Sequence, residues 1–407
     1  MIREEGTLSA SAGSRGEDVR SDCWVGIETA APRETVVSSK VEVLYGESIR
    51  ELTEEARETL SINGRLIIED QGALPWVLSA RLEAAARAAG TPGEIRLLPP
   101  RQRVVEDPRP ARLRRSRLYL PGDTPKFMLN AALHGPDGVI LDLEDSVAPG
   151  RKDQARLLVR NALRTVDFRS SEVMVRINQL PLGSKDLEVV VPQGPEMILI
   201  PKVEGPEQVR RVAESSRRLA GEADVPIPLL MPIIESARGV LAALEIAEAD
   251  PQVAALTIGL EDYTAELGVE RTAEGRESLW ARSRIVNAAT AAGVQPIDTV
   301  FSDVDDVEGL RASVREAKGL GFVGKGCIHP RQIPILHRAF APTPEEIEKA
   351  RRIVAAFREA EARGDGVVAL GSKMIDAPVV KRALKTVETA ARLGLIAPED
   401  DGEDEDA

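Results

Sequence analysis

Cysteine is nearly absent: Cys23 and Cys327 stand far apart and have neither metal-site spacing nor a disulfide framework, which points to a reducing, cytoplasmic setting. Histidine is as scarce, with three residues and no helical pairing, so a histidine-based zinc centre is not expected. Aromatic residues make up 3% of the chain, which implies an aliphatic core. No uninterrupted apolar run has the length of a membrane span, and the N-terminus carries Arg3 but no apolar segment of a secretion signal. Positive charge is in deficit, with a formal net charge of −13, which argues against a nucleic-acid partner. No P-loop occurs, and the G-x-G-x-x-G spacing of Gly319-Leu320-Gly321-Phe322-Val323-Gly324 leads into an expected strand and does not follow one, so neither motif supports a doubly wound nucleotide-binding sheet.

What is present is a recurring pattern of apolar runs that end in acids. Val139-Ile140-Leu141-Asp142-Leu143-Glu144-Asp145-Ser146 is the clearest case. Leu229-Leu230-Met231-Pro232-Ile233-Ile234 runs into Glu235, and Ala255-Leu256-Thr257-Ile258-Gly259-Leu260 runs into Glu261-Asp262. From Arg114 onward, eight candidate strands (118–120, 139–143, 173–177, 197–200, 229–234, 255–258, 294–298 and 326–328) alternate with helical stretches. This predicts the α/β class and a (β/α)8 TIM barrel, whose active site is built at the strand ends. A small α+β unit precedes it, with strands expected at 23–27, 41–44 and 65–70 and helices at 48–60 and 75–89. The expected organisation is a first domain over 1–98, a linker over 99–113, the barrel over 114–396 and an acidic disordered tail over 397–407. Residues 1 to 20 are rich in Gly, Ser and charge and read as disordered.

Glu235 and Asp262 are the first candidates for chemistry, because magnesium takes few carboxylates and completes its octahedron with water and substrate oxygens. The competing reading is that strand-end acids cap the next helix. Glu144 and Asp145, at a third strand end, favour a shared site. Arg176 closes the run Val173-Met174-Val175 and needs an acidic partner; it can clamp a substrate carboxylate, or pair internally with Asp142 or Glu144. Pro121-Gly122 forms a loop at the first strand end, where glycine permits close approach of a ligand. Lys325 and His329-Pro330-Arg331 flank the last strand, where barrels often bind phosphate, although a plain solvated loop explains them equally.

Together these pieces resemble the HpcH/HpaI aldolase family of acyl-thioester lyases, which includes the beta subunits of citrate lyase. The resemblance runs from about residue 114 to 395. It is carried by Arg115-Ser116-x-Leu118-x-x-Pro121-Gly122, Leu143-Glu144-Asp145-Ser146-Val147, Val175-Arg176-Ile177-Asn178, Ile234-Glu235-Ser236, Gly259-x-Glu261-Asp262-Tyr263 and Lys373-Met374-Ile375-Asp376. The first domain resembles the acyl carrier (gamma) subunit of citrate lyase through Tyr45-Gly46-x-Ser48-Ile49-Arg50, Asp70-x-Gly72-Ala73-Leu74 and Ala80-Arg81-Leu82-Glu83-Ala84.

The resemblance implies a magnesium-dependent retro-Claisen cleavage of a 3-hydroxy-acyl thioester, with citryl thioester giving oxaloacetate and an acetyl thioester. It implies magnesium on Glu235 and Asp262, charge neutralisation by Arg176, and support from Glu144 and Asp145. Asp376 is expected to reach the site of an adjacent subunit and handle the enolate proton, so a homotrimer or hexamer is expected. Arg115, Pro121, Gly122, Lys325, His329 and Pro330 are expected to hold the coenzyme A part of the thioester. Family carriers bear a phosphoribosyl-dephospho-coenzyme A arm on the serine of a Ser-Gly-Asp motif. Here the local sequence is Arg20-Ser21-Asp22-Cys23, so Ser21 is the attachment candidate, with Ser11 and Ser14 behind it. A coenzyme A transferase subunit is the expected partner. The alternatives are a lyase for free malyl-, citramalyl- or methylmalyl-CoA, and a non-catalytic carrier or scaffold.

Overall fold

The computed structural model describes residues 8–90, 97–99, 111–363, 368–370 and 373–397. Most of the expected linker and almost all of the acidic tail lie outside these residues. By compactness the chain divides into Met1–Ile333 and Pro334–Ala407.

The first unit begins with a four-stranded sheet in the order β1 (Ala10–Gly13), β2 (Cys23–Glu28), β4 (Arg65–Asp70), β3 (Glu34–Ser39). Two expectations fail here. Residues 10–13, read as disordered, pair antiparallel with β2, because alternating Ala10 and Ala12 bury small side chains against the sheet. The strand expected at 41–44 is the start of helix α1 (Glu42–Thr59), and the actual strand lies upstream at β3, parallel to β4. Val43 and Leu44 are 97% and 77% exposed, so their apolar pattern reports no buried sheet face. Helix α2 (Pro75–Ala88) opens with proline in its first turn, where the missing N–H costs nothing.

Strands β5 (Ser116–Pro121), β6 (Gly138–Asp142), β7 (Glu172–Arg176), β8 (Met197–Ile200), β9 (Leu229–Ile234), β10 (Ala255–Ile258), β11 (Gln295–Asp298) and β12 (Gly324–Cys327) form a closed barrel. Its neighbours pair in parallel, and β12 closes on β5. Helices fill the crossovers, as the alternating pattern predicted. The crossover from β9 to β10 carries two short helices, Ala237–Leu241 and Ala243–Ala247.

The carrier-like unit is fastened to the barrel. Helix α2 is buried on nearly all sides from Trp76 to Ala86, because one face covers its own sheet and the other packs on barrel helix Lys152–Thr165. Leu157 of that barrel helix joins the apolar core of the first domain. Buried charges cross the junction: Arg160 holds Glu83 through two bonds of 2.9 and 2.6 Å. Arg81 holds Asp22 at 2.9 and 3.0 Å and also donates to the Asp123 carbonyl at 2.8 Å. Asn161 donates to the Trp76 carbonyl. This arrangement does not suit a domain that swings on its linker.

Pro334–Ala407 contains the helices Pro344–Arg363 and Ala377–Arg392, packed through Ile353, Val354, Val380, Ala383 and Val387, and a two-stranded ribbon of Val368–Leu370 and Lys373–Ile375. No helix among the described residues is long and apolar enough to cross a membrane.

The junction yields a stability prediction. Glu83→Ala strands the Arg160 guanidinium in a dry interface and should destabilise the protein by roughly 3–5 kcal/mol. Replacing both partners by apolar residues of similar volume should recover most of that loss. Thermal unfolding of the single and double variants checks this.

Candidate active site

The last residues of the barrel strands converge on one mouth. Asp142 ends β6 and Arg176 ends β7, directly opposite each other in register. The guanidinium grips both Asp142 oxygens, Nε to Oδ1 at 2.7 Å and Nη2 to Oδ2 at 2.8 Å. Its Nη1 lies 2.8 Å from Glu144 Oε2 and 3.4 Å from Asp145 Oδ2. The two internal pairings that the sequence left open for Arg176 are therefore both made. Backbone N–H groups of Glu144 and Ser146 donate to Asp142, so the turn after β6 folds around that carboxylate.

Lys202, two residues beyond β8, was not anticipated. Its Nζ lies 3.2 Å from Asp262 Oδ2, 3.4 Å from Glu144 Oε1 and 3.7 Å from Asp145 Oδ1. Its backbone is left-handed (φ 51°), and its N–H donates to Glu235 Oε1 at 2.7 Å. Strain of this kind in a non-glycine residue gathers at functional sites. The signal was available: Met197-Ile198-Leu199-Ile200 runs into Pro201-Lys202 as other strands run into acids.

Glu235 is buried at the end of β9, and its carboxylate lies over Gly259 at the end of β10. A Cβ at Gly259 would sit 2.6 Å from Glu235 Oε2, so any larger residue there would displace that carboxylate. Asp262 lies in the first turn of the helix Leu260–Leu267. A cavity of about 460 Å³ is lined by Glu235, Asp262, Arg176, Asp142, Asp145 and Pro121, with Arg117, Tyr119, Thr257 and Ile233 among its deeper walls.

Crowding of carboxylates sets their protonation. Burial pushes the Glu235 carboxyl up to about 8, and the charges of Glu144 and Asp262 add to this. Burial likewise pushes Glu144 up to about 7, against the pull of Arg176. For Asp142 burial also raises the carboxyl, but the Arg176 hydrogen bonds and charge outweigh it and hold it below its ordinary value. Burial would lower Lys202, yet Glu144 and Asp145 raise it above its ordinary value. Among the described residues no group of three or more His, Cys, Asp or Glu forms a metal cage. Glu235 and Asp262 form a two-carboxylate set beside a cavity, the donor chemistry suited to magnesium, and their mutual repulsion is what a divalent cation relieves.

Other expected site residues are placed elsewhere. Arg115 lies just before β5, at the opposite end of the barrel, paired with Asp137 at 2.8 Å. Lys325 is fully buried within β12 and paired with Asp298 at 2.7 Å. Neither faces the mouth, because one precedes its strand and the other lies inside it. Gly122 approaches the barrel wall rather than a ligand: its N–H donates to the Asp142 carbonyl at 2.8 Å, and a Cβ would lie 2.4 Å from that oxygen. His329 and Pro330 follow β12 at the mouth, where His329 Nδ1 accepts from Arg331 N, while Ile328 lines the cavity. Asp376 belongs to Pro334–Ala407, where its side chain accepts from Val379 N and caps the helix Ala377–Arg392. Ser21 is half-buried in a left-handed conformation (φ 57°) beside Asp22. Ser14 accepts from Arg151 Nη2 at 3.0 Å and lines a second cavity together with Arg20 and Lys126. Ser11 lies exposed on β1.

The raised Glu235 carboxyl has a testable consequence. Between about 4.5 and about 8 the folded protein keeps a proton that the unfolded chain has lost. The stability from this group is full below the lower value and is lost as pH rises through the upper one. The melting temperature of metal-free protein should therefore fall across that window. Glu235→Gln should flatten the fall, as read by thermal unfolding in chelator at a series of pH values.

Comparison with known proteins gives the family of both parts of the chain. Residues 115–330 match the HpcH/HpaI aldolase/citrate lyase family, and residues 10–89 match the family of the malonate decarboxylase delta subunit, an acyl carrier protein. The chain is 39% identical over 292 residues to the citrate lyase subunit beta of Leuconostoc mesenteroides subsp. cremoris, covering 71% of this chain and 97% of that one. It is 36% identical over 293 residues to the mitochondrial citramalyl-CoA lyase of Homo sapiens, covering 69% and 86%. The crystal structure of the protein CitE from Mycobacterium tuberculosis in complex with magnesium, acetoacetate and coenzyme A superposes with a TM-score of 0.59 at 34% identity, covering 70% of this chain and all of that one. With its strand-end carboxylates, clamped arginine and closed parallel barrel, the chain belongs to the HpcH/HpaI aldolase/citrate lyase family.

Proposed function

We propose that this chain is a carbon–carbon lyase that cleaves a 3-hydroxy-acyl thioester by a retro-Claisen route, with citryl thioester as substrate. The observation that carries this is Arg176, locked by Asp142 at 2.7 and 2.8 Å and lining the same cavity as Glu235 and Asp262. Cleavage removes the hydroxyl proton and breaks the adjacent carbon–carbon bond. The bonding electrons pass to the thioester as an enolate, and a ketone remains on the oxo acid. Glu235 and Asp262 would hold magnesium, which when bound would polarise the substrate oxygens as a Lewis acid. Arg176 neutralises carboxylate and alkoxide charge, and its orientation is set before substrate arrives because Asp142 holds two of its nitrogens. Glu144, Asp145 and Lys202 balance the charge around it. Asp376 is assigned to proton transfer at the enolate carbon in the site of an adjacent subunit, which requires an oligomer, and a coenzyme A transferase is the partner that loads the thioester. Pro121 and the His329-Pro330 turn are assigned to the coenzyme A portion.

The first domain is proposed to carry a phosphoribosyl-dephospho-coenzyme A arm on Ser21, with Ser14 and Ser11 as the fallback hydroxyls. With the domain fastened through Glu83–Arg160 and the Arg81 bond to the Asp123 carbonyl, the arm rather than the domain moves the thioester. A second reading, cleavage of free coenzyme A thioesters, is favoured by the motif departure at Arg20-Ser21-Asp22.

Asp262→Ala should abolish magnesium-dependent cleavage and leave thermal stability close to that of the parent. Undiminished turnover in metal-free buffer would remove the metal assignment. Arg176→Lys, which loses the bidentate grip, should cost roughly 10²-fold in kcat/KM. Mass spectrometry of active protein decides between the readings: a phosphodiester mass on the Ser21 peptide supports the carrier, and an unmodified peptide with turnover of free thioesters supports the second.

A further inference from the structure

Arg117 is a buried cation that the chemistry above does not use. It is the second residue of β5, on the same inward row as Tyr119 and Pro121, and all three border the main cavity. The residue is 1% exposed. Its Nη1 lies 2.9 Å from Met231 Sδ, and its Nη2 donates to Thr257 Oγ1 at 3.1 Å. Its Nε is buried without a hydrogen-bond partner. Among the described residues no carboxylate lies within ion-pairing distance of it.

Other buried cations of the barrel are balanced. Arg114 holds Glu172 at 2.6 Å, Arg282 holds Asp298 at 3.1 Å and Lys325 holds the same aspartate at 2.7 Å. Around Arg117, by contrast, are a thioether, a hydroxyl, the Tyr119 phenol and the Cys327 thiol, whose titration burial pushes up to about 12. None of these is an anion near neutral pH, and Glu172, whose charge does reach Arg117, is already held by Arg114. A desolvated guanidinium without a counter-charge costs several kcal/mol, and arginine does not escape by losing its proton. A ligand that brings an anion to the cavity floor removes that cost.

The barrel register indicates which part of a ligand this would be. Thr257 pairs with Ile233, and Glu235 follows two residues later on the same inward row, roughly 7 Å higher. Arg117 thus meets the end of a substrate that lies below Arg176 and the metal-binding carboxylates. We propose that Arg117 binds a second carboxylate on the oxo-acid half of the substrate, so that the site takes 2-oxo dicarboxylates in preference to monocarboxylates. The inference rests on the reading of this cavity as the lyase site. It assigns specificity to a strand residue on the floor rather than to the loops at the mouth.

The experiment is calorimetric titration of the full chain, with magnesium, using oxaloacetate and pyruvate as probes. The parent should bind oxaloacetate roughly 10²-fold more tightly than pyruvate, the discrimination expected where a buried polar group is left unpaired by the smaller ligand. Arg117→Met should remove that preference by weakening oxaloacetate while pyruvate binds as before or better. The variant should melt no lower than the parent, since an unpaired buried charge is gone. Equal affinities in the parent, or a loss in the variant that is the same for both acids, would overturn the assignment, and the parent comparison decides even if the variant does not fold. Asp262→Ala separates the two claims: loss of both acids supports the lyase site, whereas unchanged binding with the Arg117 preference intact removes the lyase reading and leaves the floor carboxylate site standing.

Discussion

One guanidinium organises the mouth of the barrel. Arg176 at the end of β7 faces Asp142 at the end of β6, and the pair gathers Glu144 and Asp145 from the turn that follows. Asp142, Glu144, Asp145, Glu235 and Asp262 are among the acids that border this one mouth, and like charges at such spacing repel strongly in a partly dry cavity. Arg176 and Lys202 are the cations that let them coexist. The outcome is uneven: Asp142 is held below its ordinary value, while Glu144 is raised to about 7 and Glu235 to about 8. Carboxyl groups with such divided protonation within one site are what acid–base and metal chemistry both need.

The docking of the first domain follows a similar rule at the other side of the barrel wall. Glu83 and Arg81 on α2 would be anomalous on a helix packed against a single sheet. They make sense because α2 is shared between the carrier-like sheet and the barrel helix Lys152–Thr165, and each charge meets a partner across the junction. On the proposed carrier reading, a domain fastened in this way leaves the effective concentration of the thioester to the arm alone.

Much of this was legible in the residues. The barrel followed from the alternation of strand and helix patterns, and β8, β9 and β10 fall where the apolar runs lie because those runs are buried on both faces. Glu235, Asp262, Glu144 and Arg176 were visible because a charge at the end of an apolar run has few structural excuses. Lys202 obeys the same rule and was overlooked, because Pro201 stands between the strand and the lysine. Arg117 was hidden by its neighbours: in Arg114-Arg115-Ser116-Arg117 it reads as one more basic residue before a strand, although the strand had already begun. Arg115 and Lys325 misled for the converse reason, since proximity in sequence to a strand does not say which end of the barrel a side chain serves.

Local periodicity and the points where apolar runs stop are enough to specify the element order of the barrel, the family and the acids at the strand ends, whereas in the first domain the same signals missed β1 and misplaced β3. Which of the charges end up partnered is settled by the assembled fold. Asp142 with Arg176, Glu83 with Arg160 and Arg117 with Thr257 join residues 34, 77 and 140 positions apart, brought together by barrel closure and domain docking. Whether a buried cation is spent on an internal carboxylate or left facing a cavity depends on those distances, and no local pattern of residues contains them.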